Sequence, residues 1–203
     1  MAGILVICTG NVCRSPMAEG FLRRSLEQRF GHDAPSVASA GTTGWDGRPA
    51  MPESVAAAAE RDIDIAGHIA CVLERGHVEE ADLVVGMAAE HREAVVRSLA
   101  DAASKTFTLK ELVRLLEALP ASDRPPAPGD LRARVAEADA LRRSGFAGNP
   151  HDEDVVDPLG LPLESYRGIA WELDEWSERL AAGLFERAPA RAAGAERAGE
   201  EAG

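Results

Sequence analysis

The chain has 203 residues, 45% hydrophobic and 28% charged, which fits one domain with a sizeable core and excludes wholesale disorder. Acidic residues outnumber Lys and Arg by 34 to 22, and the net charge of −12 argues against nucleic acid or an anionic membrane surface as partner. A small local anion site remains compatible with that charge, because backbone dipoles can build one anywhere. The early apolar run Ile4–Ile7 is too short for a signal peptide or a membrane span. Three cysteines, Cys8, Cys13 and Cys71, are too few for a disulfide framework, so the expectation is a reducing, cytoplasmic setting.

Gly3 to Cys8 reads as a buried strand that stops at a turn around Gly10. Pro16 looks like a first helical position, and apolar residues at 17, 18, 21, 22, 26 and 30 continue at helical spacing to Gly31. Val37–Ala40 is a short strand. A Gly/Pro/Thr loop runs from Gly41 to Pro52, and an Ala-rich helix follows to about Arg61. Ala81–Met87 reads as a third strand, Glu90–Leu99 as a helix and Lys105–Leu109 as a fourth strand. This alternation predicts a single α/β domain: a four-stranded parallel, doubly wound sheet with helices on both faces. The segment 120–150 breaks the rhythm. It holds Pro120, Pro125, Pro126, Pro128 and Pro150 and an Arg-rich stretch, Leu131–Arg143, and it reads as an insertion carrying a surface helix. Leu163 to Glu186 reads as the last helix, with Ile169, Leu173, Trp176, Leu180 and Leu184 on one face. Residues 188–203 contain only Ala, Gly, Pro, Arg and Glu, with nothing to bury, and are expected to be a disordered tail beyond a domain of residues 1–187.

The chemistry concentrates in Cys8-Thr9-Gly10-Asn11-Val12-Cys13-Arg14-Ser15-Pro16, between the first strand and the first helix. A tight loop there turns successive N–H groups inward over a helix N-terminus, which makes a cradle for a tetrahedral oxyanion. Gly10 lets the backbone approach the anion, and Arg14 can fork two donors onto two phosphate oxygens. Cys8 at the strand end would have its thiolate stabilised by the same field. The string is neither a Walker loop, since no Gly-Lys-Ser/Thr follows, nor a dinucleotide loop, since G-x-G-x-x-G is missing. His32, His68, His77, His91 and His151 show no metal-ligand spacing and read as structural or surface groups.

The loop resembles that of the low-molecular-weight protein tyrosine phosphatases. The resemblance continues at Ser39-Ala40-Gly41-Thr42, Trp45, Ala81–Met87, Phe107–Glu111 and Asp157-Pro158. It implies Cys8 as nucleophile, Arg14 as phosphate clamp and Asp157 as general acid, with no metal or cofactor and a phosphoprotein as substrate. It also implies that Thr9, Gly10, Asn11, Val12, Cys13 and Ser15 build the phosphate site, that Ser15 bonds the Cys8 sulfur, and that Asn11 and Ser39 hold the loop. The acid has its own physical reason: phosphoryl transfer to Cys8 expels a poor leaving group unless that group is protonated. Asp157 is the one Asp followed by Pro, which stiffens its backbone. Trp45, on a glycine-containing loop, suits a pocket wall, whereas Trp171 and Trp176 are expected in the core.

Two features depart from the family. Leu159 stands where many members carry an aromatic residue after Asp-Pro, and the 120–150 segment precedes the acid loop. Three other functions share the scaffold or the loop. An arginine-phosphate phosphatase would carry Thr at the position of Val12. A thiol-dependent arsenate reductase needs two further cysteines beyond the loop, and only Cys71 is there. A non-catalytic phosphate-binding module would not need Cys8, Arg14 and Asp157 together.

Overall fold

β1 (Gly3–Cys8) alternates its side chains between two cores, as a strand buried on both faces must. Ile4, Val6 and Cys8 face one core, and Leu5 and Ile7 face the other. The computed structural model describes residues 3–120, 125–146 and 153–186. β1 is flanked by β2 (Ser36–Gly41) and β3 (Leu83–Gly86), and β4 (Thr106–Thr108) pairs with β3. All pairs are parallel and the order is β2-β1-β3-β4, with Ile4 opposite Val37 on one side and Leu83 on the other.

The larger core lies under α1 (Arg14–Phe30), α2 (Pro52–Ala59), α5 (Leu109–Ala118), α6 (Leu131–Arg143) and α7 (Leu163–Phe185). The smaller core lies under α3 (Arg75–Glu80) and α4 (Ala89–Ser98), through Val78 and Val95. This is the expected single-domain, doubly wound sheet. The chain leaves β1 toward β2 by one crossover and reaches β3, on the other side of β1, by the next. The crevice at the C-terminal end of β1 is therefore the topological switch point, where open α/β sheets bind ligands.

Several elements differ from the sequence reading. β4 is shorter than expected, and Leu109 opens α5, a helix not expected there. Its start is a capping box: Thr108 Oγ1 accepts from the Glu111 N–H at 3.2 Å, and Glu111 accepts from the Thr108 N–H at 3.2 Å. The six-residue α3 was also not expected. α6 spans Leu131–Arg143, and its Leu131, Val135 and Ala138 join the larger core. Arg142 on α6 donates to the Thr106 carbonyl at 3.0 Å and lies 4.1 Å over the Phe107 ring, so this helix covers the exposed edge of β4. Residues 121–124 and 147–150 of the 120–150 segment, residues 151–152 with His151, and the expected tail at 188–203 lie outside the described residues.

Trp171 corrects its expected place in the core. It is 58% exposed on the outer face of α7, while Trp176 is partly buried with Arg179 stacked 4.0 Å over its ring. The helical period puts Trp176, but not Trp171, on the stripe with Leu173 and Leu180.

Candidate active site

The loop after β1 is held from outside by its carbonyls. Those of Cys8, Thr9 and Val12 accept from the N–H groups of Thr42 at 3.0 Å, Thr43 at 2.9 Å and Met51 at 2.8 Å. The Asn11 carbonyl accepts from His68 Nε2 at 2.8 Å. In a trans peptide the carbonyl and the following N–H point in opposite directions. Four carbonyls turned outward therefore turn the N–H groups of Thr9, Gly10, Val12 and Cys13 inward. The loop closes through Asn11, whose φ of 55° lies in the left-handed region. α1 begins at Arg14 with no side-chain cap and no acidic residue in its first turn, so its positive end faces the same concavity uncompensated.

A chain of side chains overdetermines this strained turn. The Cys71 N–H donates to Asn11 Oδ1 at 3.0 Å. Asn11 Nδ2 then donates to Ser15 Oγ at 2.9 Å and to Ser39 Oγ at 2.8 Å. Ser39 Oγ in turn donates to Glu19 Oε2 at 2.5 Å. Ser15, having accepted from Asn11, has its hydroxyl proton free for Cys8 Sγ, 3.0 Å away. The Asn11 N–H reaches the same sulfur at 3.2 Å. Cys8 Sγ thus receives two donors, the Ser15 hydroxyl and the Asn11 N–H, whose direction is set by the network.

Arg14 is 3% exposed and spans the mouth of the loop. Nη1 donates to the Val155 carbonyl at 2.9 Å, and Nη2 donates to Thr9 Oγ1 at 3.2 Å and Asp157 Oδ2 at 2.7 Å. Its Nε is buried without a protein partner, which leaves a charged donor for an incoming anion. Asp157 is 41% exposed, at the entrance. Its loop is strapped down on both sides of the sheet end. The Val155 N–H donates to the Met87 carbonyl at 2.7 Å, Asp154 Oδ1 accepts from the Ala89 N–H at 2.7 Å, and Lys110 Nζ donates to the Asp154 carbonyl at 3.1 Å. The Leu159 N–H to Asp157 Oδ1 contact at 3.2 Å orients the carboxylate itself.

One small pocket is lined by Cys8, Thr9, Gly10, Val12, Cys13, Arg14, Trp45, Asp157 and Leu159. The residues selected from sequence are thus brought together, with Ser15, Asn11 and Ser39 behind them. Trp45 lies over Gly10: a Cβ at Gly10 would stand 2.8 Å from its Cδ1. Cys13 lines the pocket, its Sγ lies 3.9 Å from the buried Tyr166 hydroxyl, and burial pushes its thiol up to about 11.

Two histidines read from sequence as structural or surface groups touch the loop. His68 holds the Asn11 carbonyl, and the buried His91 reaches Thr9 Oγ1 at 3.0 Å. With the Cys71 backbone and Glu19, they are the parts of the site that sequence reasoning missed. No motif marks them, because each lies on a different element from the loop or faces it through a long-range contact. Among the described residues, no group of three or more His, Cys, Asp or Glu side chains is arranged to hold a metal, and no helix is long and apolar enough to cross a membrane.

Residues 3–119 match the family described as low molecular weight phosphotyrosine protein phosphatase. A protein-arginine-phosphatase of Geobacillus stearothermophilus is 32% identical over 178 residues, 88% of this chain and 93% of that protein. The probable low molecular weight protein-tyrosine-phosphatase EpsP of Ralstonia solanacearum is 37% identical over 109 residues, 54% of this chain and 71% of that protein. The crystal structure of a low molecular weight protein tyrosine phosphatase from T. tengcongensis superposes with a TM-score of 0.67 at 32% identity, covering 91% of this chain and all of that one. A loop that presents a cysteine, an arginine and inward N–H groups at the sheet's switch point, together with these matches, places the chain in the low-molecular-weight protein tyrosine phosphatase family of phosphatase hydrolases.

Proposed function

We propose that the protein hydrolyses phosphotyrosine in proteins through a phosphocysteine at Cys8. The observation that carries this reading is the pair of donors on Cys8 Sγ at the floor of a loop whose N–H groups face inward. The Cys8 thiolate attacks phosphorus while the loop N–H groups and Arg14 hold the three equatorial oxygens. The bond from phosphorus to the phenolic oxygen breaks, and Asp157 gives its proton to that oxygen. Water then attacks the phosphocysteine, the resulting Asp157 carboxylate takes the water's proton, and Cys8 leaves as a thiolate with Ser15 donating to it.

The ion pair between Arg14 and Asp157 fits this sequence of events. A dianionic phosphoryl group competes with the carboxylate for the guanidinium, so substrate binding releases Asp157, which takes up a proton from solvent beside the phosphoryl charge and then holds it for the leaving oxygen. Thr9 and the Val155 carbonyl keep Arg14 in place meanwhile.

Val12, Trp45 and Leu159 give the entrance an apolar wall suited to an aromatic ring. A guanidinium at that wall would lose water and gain no hydrogen bond from Val12, at roughly 1–3 kcal/mol or about 5- to 150-fold in specificity. A second reading, protein arginine phosphatase, has a specific observation in its favour: the relative bearing that name aligns over 88% of this chain. The test is kcat/KM on phosphotyrosine and phosphoarginine peptides for wild type and Val12→Thr. The tyrosine reading expects wild type to prefer phosphotyrosine and Val12→Thr to narrow the gap. A wild-type preference for phosphoarginine would replace it with the second reading.

A further inference from the structure

His91 is 1% exposed on α4, outside the loop and outside every motif of the sequence. Its Nε2 is 3.0 Å from Thr9 Oγ1 and 3.5 Å from the Glu90 carboxylate, while Nδ1 is buried with no partner. Thr9 Oγ1 also accepts from Arg14 Nη2. We propose that His91 is a positioning residue of the phosphoryl pocket: its Nε2–H fixes the Thr9 hydroxyl, and through it one edge of Arg14. This rests on the phosphatase reading and extends it to a residue that touches no substrate.

The tautomer follows from the two nitrogens. Burial and the neighbouring Arg14 charge push the ring down to about 4, so at neutral pH it carries a single N–H. A proton on Nδ1 would bury a donor with no acceptor, whereas a proton on Nε2 meets Thr9 Oγ1 and leaves only a lone pair unmatched. With N–H groups from His91 and Arg14 both on its oxygen, the Thr9 hydroxyl has its own proton left for the pocket it lines. His91 therefore does two things through Thr9. It holds the oxygen against which Arg14 Nη2 rests once substrate displaces Asp157, and it turns the Thr9 hydroxyl into a further donor for the phosphoryl group.

The full chain is assayed with p-nitrophenyl phosphate and a phosphotyrosine peptide, and vanadate affinity is measured as a readout that needs no turnover. His91→Leu is expected to lower kcat/KM and vanadate affinity each by about tenfold. His91→Gln places an amide N–H near the Nε2 position and is expected to stay within about threefold of wild type. In a Thr9→Val background, itself about tenfold impaired, His91→Leu should cost less than about a further twofold. The proposal is overturned if Gln falls as far as Leu, if the Leu loss adds in full to that of Thr9→Val, or if Thr9→Val matches wild type. The last outcome decides the matter even if His91→Leu does not fold. A wild-type protein without turnover of either substrate would instead sink the phosphatase reading. Wild-type turnover with unaffected His91 variants would sink only the role of His91.

Discussion

The floor and the rim of the pocket are built on opposite plans. The floor, Cys8 to Ser15, is buried apart from the half-buried Thr9, carries a left-handed Asn11, and is tied to segments 39–43, 51, 68–71 and 91 by hydrogen bonds. The rim is Trp45 and Leu159, 37% and 42% exposed, with Asp157 between floor and solvent. Strained backbone persists only where its surroundings overdetermine it, and here that region coincides with the groups that must meet phosphorus at fixed distances. The rim only has to be apolar and of the right shape. Changes to the floor should therefore cost chemistry, and changes to the rim, or to Val12 where the floor meets it, should alter preference.

The largest effects fall on the floor. Cys8→Ser should abolish turnover while vanadate binding remains measurable, because the hydroxyl is far less ionised than a thiol but the N–H cradle is intact. Arg14→Lys should be similarly severe, since a point charge cannot reproduce a fork that already spans Val155, Thr9 and Asp157. Retention of more than about one tenth of wild-type kcat/KM in either variant would contradict covalent catalysis on this floor.

Asp157→Asn, at the boundary, should reduce kcat on phosphotyrosine by roughly 10²–10⁴. The loss should shrink with aryl phosphates whose leaving groups are weak bases. Equal losses across a leaving-group series would show that Asp157 is not the acid.

Two glycines sharpen the contrast. A Cβ at Gly41 would stand 2.9 Å from the Gly10 carbonyl carbon and 2.9 Å from the Thr9 carbonyl oxygen, both backbone atoms of the floor. A Cβ at Gly10 would meet the part-exposed Trp45 side chain, which rather than the backbone would have to shift. Gly41→Ala should lower stability by about 1–3 kcal/mol and activity with it. Gly10→Ala should leave stability within about 0.5 kcal/mol of wild type and chiefly raise KM. Urea unfolding and initial rates on the two variants check this, and equal losses of stability would remove the distinction between floor and rim.

A pH dependence of stability is expected from the buried imidazole that ties down the floor. Unfolded, His91 titrates near its ordinary 6.5; folded, it does so near 4, set by burial and Arg14 against the opposing charges of Asp157 and Asp154. Between these values the unfolded chain binds more protons. The stabilising contribution is thus whole above about pH 6.5 and is lost as pH falls toward 4, by on the order of 1–3 kcal/mol. His91→Gln should lose less stability than wild type between pH 7 and pH 5 in urea unfolding, and parallel losses would mean another group is responsible.

Much of this was legible in one dimension. The β-branched run of β1 and the alternation of strands and helices specified the sheet, because period and burial leave few alternatives. The spacing from Cys8 to Arg14 specified the cradle, because five intervening residues close one loop between a strand end and a helix start. α5 was also readable, since Thr108 and Glu111 form a capping box three residues apart. It was obscured by the β-like composition of Lys105–Leu109.

What one dimension could not decide is everything that reaches the loop from far along the chain. Asp157 meets Arg14 across 143 residues, Asn11 meets Ser39 and Cys71, and Thr9 meets His91. A local sequence pattern reports only which groups its own segment can orient. The β2-β1-β3-β4 order gathers the C-terminal ends of separate strands at one switch point, and only that closure determines that a buried imidazole and a distant Asp-Pro stand beside the same arginine.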